Sequence, residues 1–318
     1  MRNVLKINLS IKRKLGIFFR ESIGRLFIFE ILEKISLNKK MNKNEIPPLI
    51  VIGAPRTGST MFYQYITSKI KFAYISNISS IFFNAPYLVT KLLLRFHKVS
   101  AEIKNDHGVV DGFFAPSEAR RILENWFDRK KKKMDTEFIR SSVFALSDLF
   151  DAPFLSKNMM NSMRIKEIQR IFPETLFVYL KRSPLYTGQS LIIARKKFNR
   201  SIEEWWSTEP EDLDEIVRKT PFEQVIYQVK SIEKFIEDNL ENKNTNLIQI
   251  NYSEFCKNPQ LSINEIINWY ESKNIKLRKI GLITNDELKN SNNKKLSDSE
   301  WKKLEQAYNN IYDKNTTW

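Results

Sequence analysis

Residues 49–60 read Leu49-Ile50-Val51-Ile52-Gly53-Ala54-Pro55-Arg56-Thr57-Gly58-Ser59-Thr60. The first four are apolar, mostly β-branched, and stop at a glycine, which is the pattern of a short buried strand. Glycines at 53 and 58 allow a tight turn and a close approach of backbone to a ligand. A helix is expected from Ser59 to Lys69. The free N–H groups of the loop and of the helix start then point at an anion, aided by the helix dipole. Arg56 adds a fixed positive charge, and Thr57, Ser59 and Thr60 add hydroxyl donors. Gly53, Ala54, Pro55, Arg56, Thr57, Gly58, Ser59 and Thr60 therefore read as a cradle for a phosphate-like group.

Outward from this loop, 153–157, 176–180 and 247–250 are further strand candidates. Ile165 to Ile171 repeats apolar residues at helical spacing, and Pro184 suits the first position of another helix. Pro116 likewise opens an expected helix running to Asp128. Strands alternating with helices indicate βαβ units and a parallel sheet, hence an α/β fold. Asn38 to Pro48 is polar, ends in two prolines and reads as a linker. The expected organisation is an N-terminal basic amphipathic extension over 1–45, an α/β domain over 46–275, and a helical, polar C-terminal extension of that domain over 276–318.

The chain has 318 residues, 42% of them hydrophobic, with a formal net charge of +15. It can bury a sizeable core, and disordered or collagen-like classes are excluded. The basic balance suits an anionic substrate, a polyanion or an acidic membrane surface, and also a plain lysine-rich solvated surface. A single cysteine, Cys256, leaves no internal disulfide framework, and with two histidines, His97 and His107, no metal centre is expected. A reducing, cytoplasmic location follows as the expectation. From Ile11 to Leu37 basic residues (Lys12, Arg13, Lys14, Arg20, Arg25) interleave with Phe, Ile and Leu. Such a helix either lies on an anionic membrane as a peripheral contact or packs its apolar stripe on the main domain. The run Arg129 to Lys133 reads as a solvated turn, with nucleic acid as the weaker reading, and no nucleic-acid recognition motif accompanies it.

An ATP-type phosphate loop, GxxxxGK[ST], needs a lysine after its second glycine. Ser59 stands there, and the cation has moved to Arg56. The loop resembles instead the 5′-phosphosulfate loop of sulfotransferases that use 3′-phosphoadenosine 5′-phosphosulfate (PAPS). In that family a second motif serves the donor's 3′-phosphate: an Arg at a strand end, a Pro two residues on and a Ser eight residues on. Arg182, Pro184 and Ser190 stand in that spacing, with Ser183 placed to cap the helix. The stretch 154–184 is similar to the family's strand–Lys–helix–strand segment. Pieces at 73–77 (Ala-Tyr-Ile-Ser-Asn), 116–118 (Pro-Ser-Glu) and 250–259 are similar to others of its stretches, and the layout resembles the bacterial carbohydrate-type branch more than the cytosolic small-molecule one. The resemblance implies a P-loop-like three-layer fold with a central parallel sheet flanked by helices.

It also implies a mechanism without a metal. Arg56 and the loop amides would hold the phosphosulfate, Arg182 and Ser190 the 3′-phosphate. Lys157 would meet the bridging oxygen as charge develops there, and Glu118 would be the general base that takes the proton of an acceptor hydroxyl. His107 is the second candidate base. The sequence departs from the cytosolic branch in two ways: Met159 stands where that branch has its catalytic His, and the GxxGxWK stretch is absent. Contacts to the adenosine end then fall to other residues, with Lys289, Lys294 and Lys295 as candidates. The acceptor expected is a hydroxyl of a carbohydrate or glycolipid, with Trp126, Trp205 and Trp206 as candidate stacking faces. A kinase-like P-loop phosphotransferase and a non-catalytic nucleotide-binding relative remain as alternatives.

Overall fold

The computed structural model describes residues 27–38, 45–96, 105–106, 109–110, 112–127, 134–199, 201–240, 246–283 and 287–312. In chain order the first elements are α1 (Phe27–Asn38), β1 (Leu49–Gly53), α2 (Ser59–Lys69), α3 (Pro86–Phe96), the short strands β2 (Asn105–Asp106) and β3 (Val109–Val110), α4 (Arg120–Trp126) and α5 (Thr136–Phe150). There follow β4 (Leu155–Lys157), α6 (Ile165–Ile171), β5 (Leu176–Lys181), α7 (Pro184–Phe198), α8 (Leu213–Ile216), α9 (Pro221–Leu240), β6 (Leu247–Asn251), α10 (Tyr252–Lys257), α11 (Pro259–Ser272) and α12 (Asp298–Ile311). The chain divides into two compact units: the described residues of 1–46 with 72–154, and those of 47–71 with 155–318.

The second unit holds a four-stranded sheet in the order β4-β1-β5-β6, with every pairing parallel. All five residues of β1 are buried, as the continuous apolar run of a strand covered on both faces demands. Gly53 sits opposite Leu180, and a Cβ on it would lie 2.5 Å from the Leu180 carbonyl oxygen. Only glycine fits there. After β1 the chain adds β4 on one side and then β5 on the other, so the order switches at β1. Ligand crevices in open parallel sheets form at the carboxyl ends of strands at such a switch. Helices α7, α9 and α12 pack on one another, and Ser297 opens α12 through a capping box with Glu300.

In the first unit α1 packs against α3 and α5. Its inward side carries Leu37 and the buried acid Glu33, and Phe29 meets Phe82 edge-on at 5.3 Å. Its outward side leaves Ile28, Ile31, Leu32 and Ile35 exposed. The expected packing of this apolar segment is thus only half of what the helix does. The basic residues at 12–25 lie outside the described residues.

The helix expected from Pro116 to Asp128 is shorter, Arg120–Trp126. Residues 115–117 pair instead with 75–77: Ser76 and Pro116 form an antiparallel bridge, Ser117 N–H donates to the Ile75 carbonyl at 2.8 Å, and Asn77 N–H donates to that of Ala115 at 2.9 Å. Ala119, at φ 47, then redirects the chain into α4. The Ala115 carbonyl, which would accept the first intrahelical bond of a helix from Pro116, is taken by Asn77, and Glu118 precedes the helix rather than sitting in its first turn. Asp128 is outside the described residues.

Candidate functional site

The loop between β1 and α2 is held by Tyr252 and Ser162 of the second unit and by a bond of its own. Gly58, the residue before α2, has φ 90, and a Cβ there would lie 2.5 Å from the Tyr252 ring. Thr57 Oγ1 donates to the Ala54 carbonyl at 2.9 Å. Ser162 Oγ accepts from Gly53 N–H at 2.9 Å and donates to Gly53 O at 2.8 Å. Arg56 takes φ 74, a left-handed conformation that side chains rarely adopt. A non-glycine residue held there costs on the order of 1–3 kcal/mol and persists where its surroundings over-determine it.

Three cations converge on this loop. Arg56 Nε donates to Ser190 Oγ at 2.9 Å, which ties the first expected motif to the second. Lys157, at the end of β4 and 3% exposed, donates from Nζ to Thr60 Oγ1 at 2.9 Å. Arg182, just past the end of β5 and 6% exposed, donates from Nη1 to the Arg56 carbonyl at 2.9 Å. Its Nε donates to Asn292 Oδ1 at 2.7 Å and its Nη2 to the carbonyl and hydroxyl oxygens of Ser291, each at 3.2 Å. The guanidinium lies 4.5 Å from the Tyr252 ring centroid, and Tyr252 Oη and Ser291 Oγ share a hydrogen bond of 2.8 Å. Burial pulls the Arg182 pKa below its ordinary value, with the neighbouring Arg56 charge adding to the effect. Each acceptor Arg182 reaches is neutral.

Local sequence explains these placements. Pro184 is the first residue of α7 and Ser183 its N-cap position, although the Ser183 side chain makes no capping bond. Asn251 caps α10 by accepting from Ser253 and Glu254 N–H, which sets Tyr252 at the helix start, against Gly58. Among the expected lysines, Lys289 is exposed, Lys294 pairs with Asp298, and Lys295 donates its backbone N–H to Gln189. Ser291 and Asn292 are the residues of that stretch that reach Arg182. Short polar side chains in an asparagine-rich segment gave no signal to find them, nor did Ser162 stand out.

Glu118 belongs to the first unit and is exposed; the Ser117 hydroxyl beside it accepts the Ala119 N–H at 3.1 Å. Trp126 is buried in that same unit. In the second unit Trp206 lies with its ring centroid 5.9 Å from Arg56 Cζ. His107 and the run Arg129 to Lys133 lie outside the described residues. Among the described residues no group of three or more His, Cys, Asp or Glu is placed to hold a metal ion, and no helix is long and apolar enough to cross a membrane.

A parallel sheet flanked by helices, with a glycine loop leading from its switch-point strand into a helix, defines an α/β protein of P-loop-like fold. The chain belongs to the sulfotransferase family, which matches residues 47–273, and the protein is accordingly an enzyme of sulfuryl transfer. Among solved structures, a sulfotransferase of Mycobacterium avium is similar at 14% identity, covering 88% of this chain and 71% of its own, with a TM-score of 0.48. One of Mycobacterium tuberculosis is similar at 12% identity, covering 91% and 75%, with a TM-score of 0.46. The sulfotransferase domain from the curacin biosynthetic pathway is similar at 14% identity, covering 73% and 75%, with a TM-score of 0.41. Comparison with curated proteins returned no match.

Proposed function

We propose that the protein transfers the sulfuryl group of PAPS to a hydroxyl of a carbohydrate or glycolipid. The observation that carries the donor is Arg182, a guanidinium 6% exposed whose acceptors are all neutral. A buried charge is costly unless a counter-charge meets it, and a 3′-phosphate beside Ser190 supplies one. The loop fits the other end of the donor: glycine positions where a Cβ would strike backbone or ring, helix-start N–H groups, Arg56 and Lys157.

When bound, the donor supplies an activated sulfuryl group. An acceptor oxygen bonds to sulfur as the bond from sulfur to the 5′-phosphate oxygen breaks. Arg56 and the loop amides orient the phosphosulfate, and Lys157 offsets the negative charge that grows on the leaving oxygen. Glu118 takes the proton from the acceptor hydroxyl as general base. Residues 46–275 form the catalytic α/β domain in this reading. Residues 276–318 extend it to the adenosine end through Ser291 and Asn292, and 1–45 add an amphipathic arm.

A cytoplasmic enzyme in peripheral contact with an anionic membrane completes the proposal. Ile28, Ile31, Leu32 and Ile35 recur at helical spacing along one exposed stripe, and the chain before them is rich in Lys and Arg.

The test is transfer of radiolabelled sulfate from PAPS to a panel of glycans, glycolipids and phenols, with Glu118→Gln beside the wild type. Label on sugar hydroxyls, lost by about a hundredfold or more in the variant, is expected. Label on phenols alone overturns the acceptor class. Full activity of Glu118→Gln overturns the base, and transfer of a phosphoryl group from ATP in place of sulfate overturns the donor.

A further inference from the structure

Between α7 and α8, residues 201–208 form neither helix nor strand, yet side chains fix their backbone at five carbonyls. Arg195 Nη1 donates to Ile202 O at 3.0 Å. Asn199 Nδ2 donates to the carbonyls of Glu204 and Trp205, each at 3.2 Å. Gln228 Nε2 donates to those of Trp206 at 3.1 Å and Thr208 at 2.8 Å. Arg195 is fully buried and is itself tied to Gln224 Oε1 at 2.7 Å. Burial draws its pKa down to about 10. A guanidinium taken out of water to brace a loop is an expensive arrangement, and it leaves the segment little freedom.

The brace separates the roles of two adjacent tryptophans. Trp205 turns its ring under the Arg195 guanidinium, 5.2 Å away, and is part of the support. Trp206 stacks on Phe198, rings 5.7 Å apart and 4° from parallel, and its ring centroid lies 5.9 Å from Arg56 Cζ. Ser207, at φ 76, turns the chain directly after it. The Arg56 guanidinium thus has an indole beside it and the Ser190 hydroxyl on its Nε.

We propose that Trp206 is a positioning residue for Arg56, holding the guanidinium ready for the 5′-phosphosulfate and so setting affinity at that end of the donor. This rests on the donor reading given above. An arginine with several rotamers open loses side-chain entropy when it engages a ligand, whereas one fixed beforehand loses less. The indole adds a cation–π attraction that favours the fixed conformer. The effect falls chiefly on the 5′ end: Arg182 is held by Ser291, Asn292, the Tyr252 ring and the Arg56 backbone carbonyl, none of them through Trp206, and Ser190, which accepts from Arg56 Nε, keeps its own hydroxyl proton to donate.

The experiment compares wild type, Trp206→Ala and Trp206→Phe by calorimetric titration with 3′-phosphoadenosine 5′-phosphate and with adenosine 3′-phosphate, which lacks the 5′ group. Trp206→Ala is expected to weaken the bisphosphate about three- to tenfold while leaving adenosine 3′-phosphate within about twofold. Trp206→Phe keeps an aromatic face and recovers most of the loss. A second readout needs no ligand: the Arg56 Nε–Hε resonance in arginine-labelled protein shifts and exchanges faster in the alanine variant and less so in the phenylalanine one. Unchanged bisphosphate affinity and an unchanged Arg56 resonance overturn the proposal. Equal weakening of both nucleotides also overturns it, since a collapsed loop does that without acting through Arg56. Wild type that binds neither nucleotide overturns the donor reading and the affinity claim with it, and the resonance alone then decides whether Trp206 holds Arg56.

Discussion

Helix α1 carries a carboxyl group whose ionisation opposes two physical effects. Glu33 is 0% exposed, and its two oxygens accept from the backbone N–H groups of Tyr87 and Leu88, in the first turn of α3, each at 2.8 Å. Those donors and the dipole of α3 favour the carboxylate. Burial disfavours it and is the larger effect, pushing the carboxyl up from 4.5 to about 7. The folded protein therefore holds this proton more tightly than the unfolded chain does. Stability from Glu33 is fully present below pH 4.5 and is lost as pH rises through about 7. At about 1.4 kcal/mol per pH unit, that interval is worth roughly 3 kcal/mol.

Glu33→Gln removes the titration and turns one accepting oxygen into an amide that cannot accept, at a cost of about 1–3 kcal/mol. The variant is expected to be the less stable protein at pH 5 and to draw level with or pass the wild type by pH 8. Urea unfolding of both proteins from pH 5 to pH 8, followed by tryptophan fluorescence, reads the difference directly. Other titrating groups cancel in that difference. A gap independent of pH, or one that widens against the variant above pH 7, would refute the reasoning. The first result would mean that the two N–H donors balance burial, and the second that they outweigh it and that the ionised form is the stabilising one.

Gly58→Ala is expected to destabilise by about 1–3 kcal/mol and to abolish donor binding, since φ is 90 and the new methyl would lie 2.5 Å from the Tyr252 ring. Melting temperature and calorimetry check the two effects. Lys157→Ala should lower kcat about a hundredfold or more while the affinity for 3′-phosphoadenosine 5′-phosphate changes only a few-fold, as expected of a group acting on charge that develops during transfer. Ile31→Asp with Ile35→Asp should reduce co-sedimentation with phosphatidylserine vesicles and leave transfer to a soluble acceptor unchanged. Wild type that ignores those vesicles would remove the membrane contact from the account.

The sheet and the loop were legible because their signals are local. Four apolar residues ending at Gly53, a helix from Ser59 to Lys69, and Arg182, Pro184 and Ser190 in fixed spacing all stand where the sequence puts them. What was not legible depends on contacts far apart in the chain. Ser190 reads as a phosphate ligand in its own motif, and nothing local shows that its hydroxyl meets Arg56. Ser162 locks Gly53 from a 3₁₀ turn whose sequence carries no loop signal. Ser291 and Asn292 reach Arg182 across more than a hundred residues. The helix expected from Pro116 failed because a distant segment, 75–77, claims the intervening backbone. Trp205 and Trp206 are identical in type and adjacent, and only their distant neighbours tell them apart: Arg195 beside the first, Phe198 and Arg56 beside the second.

In the proposed donor complex the two ends of this site hold the two phosphates of one nucleotide. Calorimetric titration of the wild-type protein with 3′-phosphoadenosine 5′-phosphate, 5′-AMP and ATP tests it most directly, with Arg182→Ala as the companion. The bisphosphate is expected to bind at least about tenfold to a hundredfold tighter than 5′-AMP, the difference of one charge-assisted phosphate contact, and Arg182→Ala to remove that advantage. ATP binding as well as or better than the bisphosphate, or an advantage that survives the loss of Arg182, would contradict it.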